Sequence, residues 1–223
     1  MIADPATAQG FSPNWSGSHF VISGGGIRGH STQQTHGVIP GGNGTGPTGP
    51  SGQTGGGDGS YNANGGLIGG GFGYDHQFGS WVAGIETDIS YAWASGSSQA
   101  CGPTLHACGS ELKYLGTVRG RFGPTWDRWF AYATGGLAYG RVHAWDAFYG
   151  TSGSKTRVGW TAGAGIEAAL MSNWSARVEY LYVDLGSGHL YDIVPGVPEH
   201  VSFDAHVIRL GISYKLNALA GPR

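Results

Sequence analysis

The sequence predicts an all-β fold, an eight-stranded antiparallel up-and-down β-barrel that crosses a membrane and carries long extracellular loops. Three observations point to it. The 223 residues hold 44 Gly, 11 Tyr, 8 Trp and 8 Phe, a mixture that disfavours helices and favours strands joined by turns. Eight segments alternate between two kinds of side chain with period two, and the connections between them alternate long and short. Finally, the segments that can be phased are apolar on one face and ionic on the other.

The segments fall at 15–29, 65–77, 80–94, 111–125, 129–145, 156–170, 173–185 and 204–216. Between them lie long connections at 30–64, 95–110, 146–155 and 186–203, and short ones around Gly79, at Trp126-Asp127-Arg128 and at Met171-Ser172-Asn173. In a meander, odd connections share one rim and even connections the other. All the short turns therefore fall on one rim, as bacterial outer-membrane barrels require and soluble eight-stranded barrels do not. The barrel thus occupies 15–216, with a periplasmic N-terminal segment at 1–14 and a C-terminal tail at 217–223.

The seventh segment, Asn173 to Tyr182, sets Trp174, Ala176, Val178, Tyr180 and Tyr182 against Ser175, Arg177, Glu179 and Leu181. The eighth repeats the pattern, with Ile208, Leu210, Ile212, Tyr214 and Leu216 opposite Arg209, Gly211, Ser213 and Lys215. In the third, Ile85, Ile89, Tyr91 and Trp93 oppose Glu86, Asp88 and Ser90; in the fourth, Tyr114, Val118 and Phe122 oppose Lys113, Thr117, Arg119 and Arg121. The sixth opposes Val158, Trp160, Ala162, Ala164 and Ile166 to a glycine-rich face ending in Glu167. The first, second and fifth segments hold too much glycine to phase.

Alternation by itself leaves both polarities open, since a soluble barrel turns its apolar face inward and a membrane barrel turns it outward. Three features favour the membrane polarity. Tryptophans gather near the segment ends, at Trp15, Trp81, Trp93, Trp126, Trp129, Trp160 and Trp174, as interfacial girdles do. The segments are longer than the usual globular strand and long enough for a tilted crossing. The polar face carries four acids, Glu86, Asp88, Glu167 and Glu179, and six bases, Lys113, Arg119, Arg121, Arg177, Arg209 and Lys215. Those ten residues form the expected ionic network of a lumen just wide enough to be filled by side chains. Trp81, Trp93, Trp160, Trp174, Tyr180, Tyr182 and Tyr214 are expected to face lipid.

Several function classes drop out. A formal charge of −2 offers no basic field for nucleic acid. No apolar run reaches the roughly 18 residues of a spanning helix. Residues 1–5, Met-Ile-Ala-Asp-Pro, carry neither the basic start nor the apolar run of a secretory signal, so either a leader has been removed or the chain stays in the cytoplasm. Gly66 to Gly73, GLIGGGFG, lacks the helix that a nucleotide-binding glycine loop precedes. Nine histidines, among them His30, His36, His106, His189 and His200, are scattered without ligand spacing, and neither a metal, a cofactor nor an enzymatic activity is expected. Cys101 and Cys108, flanked by Gly, Ser and Pro, suit a small disulfide loop of an oxidising compartment.

The tract GTGPTGPSGQTGGGDG at 44–59 places glycine at 46, 49, 52 and 55, with Pro47 and Pro50 after the first two. Four triplets are too few for a collagen stem, so it reads as a polyproline-type or coil stretch of the first extracellular loop.

Trp15-Ser16-Gly17, the run Thr117 to Gly123 (TVRGRFG), Thr134 to Gly140 (TGGLAYG), Asn173 to Tyr182 (NWSARVEYLY) and Arg209 to Leu216 (RLGISYKL) together resemble the small outer-membrane β-barrel family of alphaproteobacteria, whose members are often labelled surface antigens or porin-family proteins. The likeness runs from about Trp15 to Leu216 outside the long loops. It implies an eight-stranded barrel in the bacterial outer membrane, surrounded by lipid and lipopolysaccharide, with its loops exposed at the cell surface. The chain departs from the family's usual aromatic ending, since Leu216 is followed by Asn217 to Arg223. The leading functional expectation is a structural barrel with a side-chain-filled lumen whose loops join copies in an oligomer or array, or meet the exterior. Two alternatives stand beside it: a narrow channel for small solutes, and a soluble barrel that binds an apolar ligand.

Overall fold

A computed structural model describes residues 13–35, 59–101, 106–147, 150–194 and 197–216. Eight antiparallel strands, β1 (Gly17–Thr35), β2 (Gly59–Phe78), β3 (Trp81–Cys101), β4 (His106–Trp126), β5 (Trp129–Asp146), β6 (Thr151–Ala169), β7 (Trp174–Val194) and β8 (Val197–Lys215), close into an up-and-down barrel in which β1 pairs with β8. Following paired residues round the wall leads from His19 through Gly73, Glu86, Arg119, Gly136, Thr161, Val183 and Ala205 to Gly29. One circuit thus climbs ten residues along β1. That stagger tilts the strands and, with eight of them, fixes a bore that side chains can fill.

The short turns share a rim with Pro13 and Leu216. Phe78 and Trp81 are joined through Gly79, whose φ of 64° is a left-handed conformation that glycine adopts without strain. Asp127, at φ 46°, turns β4 into β5, a position that its short polar side chain tolerates.

Polarity is as expected for the membrane case. Val178 and Leu210 are 47% and 63% exposed on the outer wall, whereas Arg177 and Arg209, one residue away on the same strands, are each 3% exposed. Trp81, Trp93, Trp160, Trp174, Tyr180 and Tyr214 all lie on the exposed outer face. Tyr182 shares that face but is half covered, because Trp160 and the His206 ring pack against it, with ring centroids 5.4 Å away in each case.

The strands are longer than the sequence pattern indicates. Three of the four expected long loops shrink to 102–105, 147–150 and 195–196, and β1 and β2 continue to Thr35 and from Gly59. The tract at 44–59 lies outside the described residues up to its last glycine, as do 1–12 of the N-terminal segment and the tail at 217–223. The reason for the shortfall is seen on β7 and β8, where polarity inverts along the strand. On β8, Ile208, Leu210, Ile212 and Tyr214 point outward and Arg209 and Ser213 inward, but beyond Val207 the buried residues are Val201, Phe203 and Ala205 and the outward ones Ser202, Asp204 and His206. On β7 the switch comes at Tyr180, after which Leu181, Val183 and Leu185 are buried. Past the lipid the outer face meets water, so the wall returns to the ordinary order of apolar inside and polar outside. A pattern read as one continuous phase loses the strand at that point.

Candidate functional site

The lumen is stratified into three layers, each set by which residues the inward phase delivers at that height. Nearest the turn rim, Trp15, Val82, Phe130, Tyr132 and Ala169 form a small apolar cluster. Trp15 therefore does not join the expected girdle. Its ring packs on Phe130 at 5.5 Å and its backbone N–H donates to Gln77 Oε1 at 2.8 Å, which folds the entering chain across the mouth.

Above it lies the ionic layer. The Arg119 guanidinium donates to Glu86 at 2.9 Å, Asp88 at 3.0 Å and Glu179 at 2.8 Å, with its Nε on the Thr117 hydroxyl at 2.9 Å. Arg177 holds Glu86 through two bonds of 2.5 and 2.8 Å. Arg209 reaches both oxygens of Asp88 at 3.0 and 3.1 Å and Glu179 at 2.6 Å. Arg121 donates to Glu167 at 3.0 Å and to both oxygens of Asp75, and its guanidinium lies over the Phe130 and Tyr132 rings at 5.3 and 5.4 Å. All these groups are buried. Such charges are tolerable only because each guanidinium finds several carboxylate oxygens, and planar forks suit that demand better than ammonium groups.

Room for the long arms comes from bare backbone. A Cβ on Gly73 would lie 2.6 Å from the His19 ring, and one on Gly165 would lie 2.5 Å from the Tyr132 ring.

Eight of the ten expected network residues meet in this layer: Glu86, Asp88, Arg119, Arg121, Glu167, Arg177, Glu179 and Arg209. Lys113 does not. It is exposed on the outer wall beside Glu111, because β4 changes register between Leu112 and Tyr114 and the inward phase passes from Leu112 to Leu115. Lys215 stands at the turn rim, half-buried, where its Nζ donates to the Asn14 carbonyl. The layer also contains two residues that pattern reading missed, Asp75 and His19, whose ring nitrogens lie 3.4 Å from Asp75 and 3.2 Å from Glu86. Their strands hold too much glycine for a phase; the signal that could have found them is the closing short turn, which fixes β2 against the well-phased β3. Cys108 is disulfide-bonded and no cysteine is free among the described residues, while the Cys101 side chain lies outside them.

The third layer was not anticipated. Ile27, Leu67, Leu112, Leu115, Val142, Leu181, Val183, Leu185, Phe203 and Val207 are all buried, with Ala63, Ala92, Ala94, Ala138 and Ala205 between them. They close the bore above the ion pairs with a packed apolar plug. A small recess of about 30 Å³ at the turn rim, lined by Trp15, His19, Asp75, Arg121 and Lys215 among others, stops against the ionic layer.

An apolar belt outside, aromatic girdles and a bore sealed by ion pairs and aliphatic side chains define an occluded bacterial outer-membrane barrel. Its family is shown by sequence. The chain belongs to the family described as outer membrane protein beta-barrel domain, whose model matches residues 29–215. Over 169 residues it is 38% identical to the 31 kDa outer-membrane immunogenic protein of Brucella melitensis, covering 68% of this chain and 67% of that one. It is 37% identical over 145 residues to the 22 kDa outer membrane protein of Rhizobium leguminosarum, covering 64% and 63%. The chain thus spans about two thirds of the length of these relatives. Among solved structures, OprG of Pseudomonas aeruginosa matches with a TM-score of 0.53 at 14% identity, covering 91% of this chain and 98% of that one. The protease OmpT of Escherichia coli matches at 0.57 and 7%, covering 93% and 99%. Those two likenesses are of fold alone. The protein is accordingly an outer-membrane β-barrel related to alphaproteobacterial surface antigens.

Proposed function

We propose that this barrel is a non-conducting structural protein of the outer membrane, and that its surface-exposed upper wall and loops make contacts with neighbouring copies or with the exterior. The observation that carries the reading is the double seal of the bore, in which an apolar plug lies directly above a densely ion-paired layer. An ion crossing it would have to leave water for an aliphatic layer, at a cost of many kcal/mol.

The reading is non-enzymatic. Ser60 Oγ lies 2.9 Å from His30 Nε2, and His30 Nδ1 lies 3.4 Å from Asn62, an order that a nucleophile, base and orienting group would take. All three are exposed on the outer face of β1 and β2, so the relay is open to water and lacks the desolvated setting that gives such groups their catalytic strength.

Planar-bilayer recording on the purified barrel tests the proposal. The expected result is no resolvable single-channel step; steady unitary currents would establish the narrow-channel alternative instead. Cross-linking in native membrane tests the contacts: dimers or ladders linked through upper-wall residues support them, and exclusively monomeric product removes them.

A further inference from the structure

Above the membrane the barrel wall is not continuous. Among the described residues, β6 and β7 pair from Ala169↔Ser175 only as far as Trp160↔Asp184. Each strand goes on with its other neighbour: β6 stays on β5 as far as Thr151↔Asp146, and β7 stays on β8 as far as Val194↔Val197. The cause is local. A register shift follows Asp184, Gly186 takes φ 65°, and its N–H folds back onto the Asp184 carboxylate at 2.7 Å, so β7 bends away from β6.

Among the described residues the same gap does not open elsewhere. Pairing of β2 with β3 also ends early, at Asn64↔Ser95, yet a Cβ on Gly96 would lie 2.2 Å from the Asn62 carbonyl, so those strands remain in contact. Across the β6–β7 seam a Cβ on Gly186 would meet nothing within 4 Å, and one on Gly188 would meet only the Arg157 guanidinium. Arg157 is the bridge. Its side chain donates to the carbonyls of Gly186 at 3.2 Å and Gly188 at 2.5 Å, filling part of the missing ladder. It is only 7% exposed, its Nε has no partner, and its hydrogen bonds go to carbonyls rather than to a carboxylate. Every other buried arginine of the barrel has carboxylates.

We infer that this seam is a strand-addition site for an extended, acidic peptide segment of a partner at the cell surface. Unpaired strand edges recruit extended chains through backbone hydrogen bonds. The N–H groups of an incoming strand would take over the Gly186 and Gly188 carbonyls, and the released guanidinium would pair with a carboxylate of that strand. Arg157, a buried cation held by carbonyls alone, makes the occupant acidic. The inference stands whether or not the barrel conducts, and its test reads amides rather than current.

The experiment uses the full chain in nanodiscs of neutral lipid, followed by hydrogen exchange. Probes are peptides of about ten residues that alternate Val and Thr, with Asp, Asn or Lys at the centre, and a version of the Asp peptide interrupted by Pro. In the free protein, the alternate amides of 152–158 that point away from β5 are expected to exchange far faster than those at 161–168. The Asp peptide slows them, binds about tenfold more tightly than the Asn peptide, and loses that advantage on Arg157→Gln; the Pro version gives no protection. The wild-type ranking of Asp over Asn over Lys decides the matter even if Arg157→Gln fails to fold. Slow exchange in the free protein, equal protection by the Pro peptide, no preference for Asp, or protection by vesicles of anionic lipid without peptide would each overturn the inference.

Discussion

Arg119 shows what a single residue does here. Its guanidinium spans three carboxylates from β3 and β7 and a threonine of its own strand, with its side chain 1% exposed. Removing it leaves buried Glu86 to Arg177 and buried Asp88 and Glu179 to share Arg209, one cation short in the layer. Arg119→Met is therefore expected to cost about 3–5 kcal/mol, read from urea unfolding of the barrel in vesicles, and a second change, Glu179→Gln, should recover part of the loss. A cost below about 1 kcal/mol would mean that water reaches the layer. Trp15 gives a second test at this scale. Buried on Phe130 rather than set in the girdle, it should escape quenching by brominated lipid in a variant that keeps only that tryptophan, while one keeping only Trp93 or Trp174 should be strongly quenched.

The element scale is where the polarity inversion appears. β8 carries both regimes, with Leu210 in the lipid band and His206 above it, each facing out. Leu210→Arg should destabilise the barrel by about 2–4 kcal/mol, and His206→Arg by close to nothing, since the penalty for a charge falls away from the bilayer centre. Equal costs would place the membrane boundary elsewhere. The same inversion explains how much of each strand the sequence revealed. Within the lipid band, Trp174 to Tyr182 and Ile208 to Tyr214 read cleanly because lipid allows only one polarity outside. Beyond Tyr180 and Val207 the pattern changes sign, and residues such as Ser202 and Phe203 look like loop. Lys113 misled for a related reason: alternation holds only while register holds, and the shift beside Leu112 moves it to the outer wall.

For the whole molecule, closure is redundant. The ionic layer and the apolar plug each seal the bore, so Arg119→Met alone should leave planar bilayers silent, and so should Leu112→Ala with Leu181→Ala and Phe203→Ala. The combined variant, with both layers thinned, is expected to show unitary current if it folds; current from either set alone would show that one layer carries the seal. Redundancy of this kind fits the structural role proposed for the barrel.

Fold class, strand number, the rim bearing the turns and most of the ionic layer follow from the sequence alone, because period two, turn chemistry and the prohibition on lipid-exposed charge are local constraints that each segment must obey by itself. The apolar plug, the placement of Asp75 and His19, the inward turn of Trp15 and the open seam at Arg157 were decided by tertiary structure. Each depends on which strand lies beside which and at what height, and that is set by the ten-residue stagger of the closed barrel and by register shifts that no single strand records.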